Sequence, residues 1–199
     1  GGVVACAKHF PGHGDTEVDS HKALPVLKFP KERLDSVELY PFRRLIKDGV
    51  EMVMVGHLLV PVLDTLPASV SKVVVTDLLR KKMKFRGLII TDALGMEGVL
   101  EPFGGSGAKA TLAAYKAGVD ILLMPDNVSE SIDLIVDYIG DDRRKLKDLD
   151  ARVSRVLALK GKCGKLTGRD DLSVDPAAVD TKGTDALITT IEETLAAGR

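Results

Sequence analysis

The segment KHFPGHGDTEVDSH, Lys8 to His21, holds three of the four histidines of the 199-residue chain, with Lys8, Asp15 and Asp19, around a glycine-rich turn. An imidazole with a free pKa of about 6.5 gives and takes a proton near neutral pH. A carboxylate beside it fixes its tautomer and supports its charged form. Asp19 lies two residues before His21, so both side chains fall on one face if the segment is extended. The same residue types ligate zinc, which makes His9, His13, Asp19 and His21 a candidate metal set. Their spacing matches no helical zinc motif and Lys8 alongside would repel a cation, so neither a metal nor another cofactor is expected.

These residues need elements to position them. The cluster follows the apolar run Val3 to Ala7, His57 follows Met52 to Val55, Asp92 follows Leu88 to Ile90, and Asp126 follows Ile121 to Met124. Each run reads as a buried strand of a parallel sheet, and in α/β folds reacting groups sit just past the carboxyl ends of such strands. Between the runs lie segments with helical spacing of apolar residues. Pro30 to Lys47 is expected to break or kink at Pro41. Ser71 is expected to cap a helix from Lys72 to Lys84, and Lys109 to Ala117 and Ser129 to Ile139 serve the last two strands. Strand and helix alternate four times, which makes this an α/β chain with right-handed parallel crossovers. Asp142 to Lys162 reads as an amphipathic helix with Leu146, Leu149, Val153, Val156, Leu157 and Leu159 on or near its apolar face. A linker at Thr167 to Asp175 and a last helix at Thr184 to Ala197 follow.

Composition narrows the function. With 45% hydrophobic and 29% charged residues and a net charge of -1, the chain is neither disordered nor drawn to nucleic acid or anionic membranes. Its apolar runs fall short of the roughly 20 residues a membrane span needs. No glycine fingerprint for a nucleotide follows any strand, and Gly104 to Gly107 reads as a loop rather than an anion site. Cys6 and Cys163 are too few and too distant to argue for a disulfide framework, and Cys6 reads as a small buried strand residue. Neither a cytoplasmic nor an exported location is assigned by these features.

The motifs KHFPGHGDTEVDSHKALP, GHLLVP, RGLIITDALGM and RVSRVLALK, in this order from about Val3 to Gly164, resemble glycoside hydrolase family 3, and within it the β-N-acetylhexosaminidase branch. The resemblance implies a (β/α)8 TIM barrel, of which 1–165 would be the C-terminal half with about four βα units, and 166–199 a linker and C-terminal helix. Because the chain opens at Gly1-Gly2 directly before a strand, the N-terminal half is expected to be missing. The resemblance further implies hydrolysis of terminal β-linked N-acetylglucosamine with retention, through a covalent glycosyl-enzyme. Asp92 would be the nucleophile, His21 the acid/base with Asp19 as partner, and Lys8 and His9 the pair that binds sugar hydroxyls. The expected partner is a β-N-acetylglucosaminide or muropeptide substrate, in peptidoglycan recycling or turnover. A family 3 β-glucosidase is the main rival, and the DSH sequence argues against it. An inactive sugar-binding barrel fragment is another rival, and the isolated chain is expected to be inactive or nearly so.

Plainer roles stand beside these. Asp92 alone could be a helix N-cap, but the neighbouring strand ends favour catalysis. For His57, lining the substrate pocket and hydrogen-bonding a backbone carbonyl are both open, and for Met96, packing under the sugar and belonging to the core are both open. His13, Asp15 and Thr16 read as turn-stabilising residues, Asp126 as the cap of the last barrel helix, and Gly12 and Gly14 as the hinge of a mobile loop.

Overall fold

The computed structural model describes residues 3–14 and 24–163. Strands β1 (Cys6–Phe10), β2 (Met52–Val55) and β3 (Leu88–Thr91) form a parallel sheet in the order β1-β2-β3. Parallel neighbours need a long crossover. Helix α1, over 31–47, supplies the first, as an α-turn Lys31–Arg33, a π-helical stretch Leu34–Glu38 and an α-helix Leu39–Lys47. Helix α2 (Val73–Lys82), a π-helix, supplies the second. Helices α3 (Glu97–Leu100), α4 (Gly107–Ala117), α5 (Val128–Ile139) and α6 (Arg143–Lys162) follow β3. Among the described residues no helix is long and apolar enough to cross a membrane.

Local chemistry accounts for most of these boundaries. All four residues of β3, Leu-Ile-Ile-Thr, are buried, as expected for a strand covered on both faces. The Ser71 hydroxyl accepts from the Val74 amide at 3.2 Å and so caps α2, whose Val75, Leu78 and Leu79 are buried. Ser106, Asn127 and Asp142 cap α4, α5 and α6 in the same way. The main core joins Phe10, Val53, Val55 and Ile89 of the sheet to Leu39 and Phe42 of α1, Val75 and Leu79 of α2, and Ala110 and Ala114 of α4. Phe10 and Phe42 meet edge to face with ring centres 5.1 Å apart, and each such side chain contributes roughly 1.5–3 kcal/mol by leaving water.

Several expectations are corrected. The first strand is Cys6–Phe10 rather than Val3 to Ala7, so Lys8 and His9 lie within it. Cys6 is exposed, not buried: it shares with Lys8 the face opposite Ala7, and Ala7 is on the covered side. The helix does not break at Pro41. The π-helical stretch ahead of it widens the turn, and the Leu39 amide reaches back five residues to the Leu34 carbonyl. The strand expected at Ile121 to Met124 is reduced to a single parallel bridge between Ile90 and Ile121. The Thr91 hydroxyl takes the Leu123 amide at 3.0 Å, which diverts the ladder from backbone to side chain. Asp126 does not cap α5, since Asn127 does. The linker and helix expected at 166–199 lie outside the described residues.

Candidate active site

The site forms where the three strands end. Register between β1 and β2 runs Cys6 to Met52 and Ala7 to Val53, then shifts so that Phe10 meets Val55. One extra residue is thus accommodated on β1, a bulge that covers Lys8 and His9. Ala7 and Phe10 are both buried although three residues apart. Hydrogen bonds continue past the strands: the Gly56 amide donates to the Phe10 carbonyl at 3.0 Å, and the Asp92 amide to the Val55 carbonyl at 3.0 Å. These draw the ends of β1, β2 and β3 to one level, with Asp92 at the top of β3.

The Asp92 carboxylate is held at one oxygen and open at the other side. Its Oδ1 accepts from the Ala93 amide at 2.8 Å, and its Oδ2 stands 3.5 Å from His9 Nε2. The Asp92 and His9 side chains are 20% and 24% exposed, so both are reachable from solvent. The His9 pKa lies below the usual value, first because burial disfavours the imidazolium; Asp92 pulls it back up, while Lys8 and His13 add to the depression. His9 is therefore a neutral donor at neutral pH, facing an acceptor. Lys8 is exposed one residue away.

His57 sits beneath this pair and is 1% exposed. Its Nε2 lies 2.8 Å from the Ala93 carbonyl oxygen and its Nδ1 2.6 Å from the Ser69 hydroxyl. Its pKa is also lowered, again chiefly by burial. Of the two roles open for His57, the described contacts are those of backbone hydrogen bonding. Met96, 8% exposed, sits at the N-terminus of α3, and its amide donates to the same Ala93 carbonyl at 3.2 Å.

After β1 the chain turns sharply. The Gly12 amide donates to the His9 carbonyl at 2.9 Å, and Gly12 has φ +139°, where a side chain is strained. A Cβ there would also stand 2.7 Å from Glu38 Cβ on α1. His13 reaches back so that its ring lies edge on to His9, with centres 5.7 Å apart. Asp15, Thr16, Asp19 and His21 lie outside the described residues, and with them two members of the candidate metal set. Among the described residues no three metal-binding side chains converge. After residue 23 the Leu27 amide bonds the Leu59 carbonyl and the Leu59 amide the Pro25 carbonyl, both at 2.8 Å. Leu27, Leu34, Leu58 and Val60 form a small core beneath these bonds.

Sequence reasoning singled out Lys8, His9, His57, Asp92 and Met96, and the structure gathers His9, His57, Asp92 and Met96 at one strand end around Ala93. It did not single out Ser69 or Ala93, because a serine in a Pro-Ala-Ser turn and an alanine after an aspartate carry no chemical signal of their own. Asp126 lies against the same turn: a Cβ added to Gly95 would stand 2.4 Å from Asp126 Oδ1.

The chain is similar to known proteins. The chain is 33% identical over 183 residues to Beta-hexosaminidase A of Pseudoalteromonas piscicida, covering 81% of this chain and 30% of that protein. It is 40% identical over 133 residues to Beta-hexosaminidase of Neisseria gonorrhoeae, covering 65% and 36%. The structure of a glycoside hydrolase family 3 beta-N-acetylglucosaminidase from Paenibacillus superposes with a TM-score of 0.73 at 37% identity, covering 82% of this chain and 32% of that one. The chain thus spans about a third of the length of the curated relatives it matches. Residues 1–159 match the Glycosyl hydrolase family 3 N terminal domain, and with its strand-end aspartate and histidines this α/β chain belongs to glycoside hydrolase family 3.

Proposed function

We propose that the protein containing this chain is a retaining β-N-acetylhexosaminidase that releases terminal β-linked N-acetylglucosamine through a covalent glycosyl-enzyme on Asp92. The observation that carries the reading is the Asp92 carboxylate itself, at the end of β3, with Oδ1 held by the Ala93 amide and Oδ2 facing His9. A nucleophile must present one oxygen in a fixed direction, and a bond from its own turn leaves the second oxygen to attack. In the first step that oxygen bonds the anomeric carbon while the glycosidic bond breaks. His21, partnered by Asp19, gives its proton to the departing oxygen, then takes one from the water that hydrolyses the ester, returning the proton balance to zero. An imidazole in this role departs from the usual carboxylic acid, and its pKa range suits it to both halves of the cycle. Lys8 and His9 hydrogen-bond sugar hydroxyls, contacts that strengthen as positive charge grows on the ring.

We assign the chain to one half of a (β/α)8 barrel and the natural substrate to muropeptides of peptidoglycan turnover, on the strength of the motif order and the bacterial relatives named beta-hexosaminidase. The test is release of 4-nitrophenol from its N-acetyl-β-glucosaminide and β-glucoside by the full-length gene product. Selective turnover of the N-acetyl substrate, unaffected by chelator and lost in Asp92→Ala, is expected. His21→Ala should lose far more activity on a disaccharide than on the nitrophenyl glycoside, whose leaving group needs little protonation. Preference for the glucoside, or turnover that survives Asp92→Ala, would overturn the reading.

A further inference from the structure

We propose that His57 is a positioning residue for the nucleophile: with Ser69 it clamps the Ala93 carbonyl and thereby fixes the Ala93 amide that orients the Asp92 carboxylate. This rests on the reading of Asp92 as nucleophile. The contacts form a chain across two loops. Ser69 belongs to the 3-10 turn Ala68–Val70, His57 follows β2, and Ala93 follows β3.

Hydrogen-bond logic assigns the protons. A carbonyl oxygen only accepts, so His57 Nε2, 2.8 Å from the Ala93 oxygen, carries the hydrogen. In the neutral ring Nδ1 is then an acceptor, and the Ser69 hydroxyl, 2.6 Å away, donates to it. Ser69 is itself fully buried and His57 is 1% exposed, so water cannot replace either bond. Burial also disfavours the charged ring, which keeps it neutral at neutral pH.

The consequence falls on Asp92. Ala93 is held from both sides: its carbonyl accepts from His57 and from the Met96 amide, and its own amide donates to Asp92 Oδ1 at 2.8 Å. Locking the carbonyl pins the peptide plane that follows Ala93, and the bond from the Asp92 amide to the Val55 carbonyl pins the residue before it, so the plane between them that carries the Ala93 amide has little room to turn. A neutral imidazole does this without adding a positive charge under the carboxylate, which a lysine in the same place would do. His57 does not touch the reacting atoms; it acts through Ala93.

Two substitutions separate the halves of the clamp. In His57→Gln the side-chain amide reaches the place of Nε2 and can still donate to Ala93. In His57→Asn it reaches only the place of Nδ1, which keeps the Ser69 partner and abandons the carbonyl. In the full-length protein, His57→Asn is expected to lower kcat on 4-nitrophenyl N-acetyl-β-glucosaminide by about ten- to a hundredfold, with KM within about twofold and the thermal midpoint followed alongside. Hydrogen exchange at the Ala93 amide, a readout independent of turnover, should quicken by about tenfold or more. His57→Gln should restore both values most of the way. Equal impairment of the two variants, or unchanged Ala93 exchange in His57→Asn, would overturn the clamp. Should His57→Asn fail to fold, Ser69→Ala carries the test: faster Ala93 exchange supports the clamp and unchanged exchange refutes it. If the wild type turns over no N-acetylglucosaminide, the proposed function fails and the exchange measurement still decides the clamp.

Discussion

At the scale of single residues, the site holds two neutral imidazoles, His9 facing the Asp92 carboxylate and His57 bonded to the Ala93 carbonyl and the Ser69 hydroxyl, and this has a thermodynamic signature. His9 and His57 both have pKa values below the ordinary histidine value of about 6.5, first through burial. The groups facing them are Asp92, which opposes the shift at both, Lys8 and His13 at His9, and His9 at His57. Near pH 6 the unfolded chain therefore holds more protons at these two positions than the folded one does. The stability they confer is full above the unfolded pKa and falls as pH drops toward the folded values. Urea midpoints are expected to be lower at pH 5.5 than at pH 7.5, with a smaller difference in His57→Gln. A midpoint that is equal or higher at pH 5.5 would contradict the sign of both shifts. The identities of these residues were legible in the sequence because histidines and aspartates at strand ends are chemically conspicuous. Their division of labour was not: whether His57 meets substrate or backbone depends on a carbonyl from another loop, 36 residues further along the chain.

At the scale of elements, helix α6 shows where reading by apolar pattern stops. The amphipathic period predicted a helix over Asp142 to Lys162, and the helix is there as Arg143–Lys162. Yet three of the leucines and valines assigned to its apolar face, Leu146, Val153 and Leu157, are more than 40% exposed, and its one buried residue is Arg152. Arg152 Nη1 donates to the Tyr115 carbonyl at 2.8 Å and to the Val119 carbonyl at 2.7 Å, satisfying the end of α4. Arg155 reaches the fully buried side chain of Asp120 at 2.7 Å, where Arg80 of α2 also binds, at 2.6 Å. Polar anchors hold α6 on the end of α4 and, through Asp120, which also accepts from the Ile89 amide at 2.8 Å, on β3, and a hydrophobic period cannot forecast them because charged positions read as solvent-facing. Arg152→Ala is expected to destabilise by about 1–3 kcal/mol, because the Val119 carbonyl loses the Arg152 donor and the Tyr115 carbonyl is left with the Gly118 amide alone. Val153→Gln should change stability by less than about 0.5 kcal/mol. Denaturant titration of both variants checks this, and a larger loss in Val153→Gln would show that the apolar face does the anchoring. The fourth strand illustrates the same limit: Ile121 to Met124 has the composition of a strand, but its pairing depends on partners, and the Thr91 side chain takes one of its amides.

At the scale of the whole molecule, the alternation of strands and helices was readable from apolar runs, since β2 and β3 fall where those runs lie. The level at which the strand ends meet was not readable, because it depends on the bulge at Lys8 and His9. A shift of one residue in that register would turn His9 away from Asp92. The described fold also leaves Met124 and a stripe of α5, Val128, Ile132 and Val136, more than half exposed. Such a stripe is larger than scattered surface apolar residues need be, and sequence periodicity marked α5 as a helix without indicating which of its faces is covered. The proposed chemistry is concentrated on one short turn, Asp92 and Ala93, to which β1, β2 and the loops after them all contribute. Asp92 therefore carries the proposed function. Incubating the full-length protein with a slow fluorinated N-acetylglucosaminyl fluoride, digesting with trypsin and sequencing the peptides by mass spectrometry tests it most directly. The peptide Gly87–Lys109 is predicted to carry one sugar, esterified to Asp92. A sugar on any other residue, or turnover of the reagent with no adduct on this peptide, would contradict the assignment of Asp92 as the nucleophile.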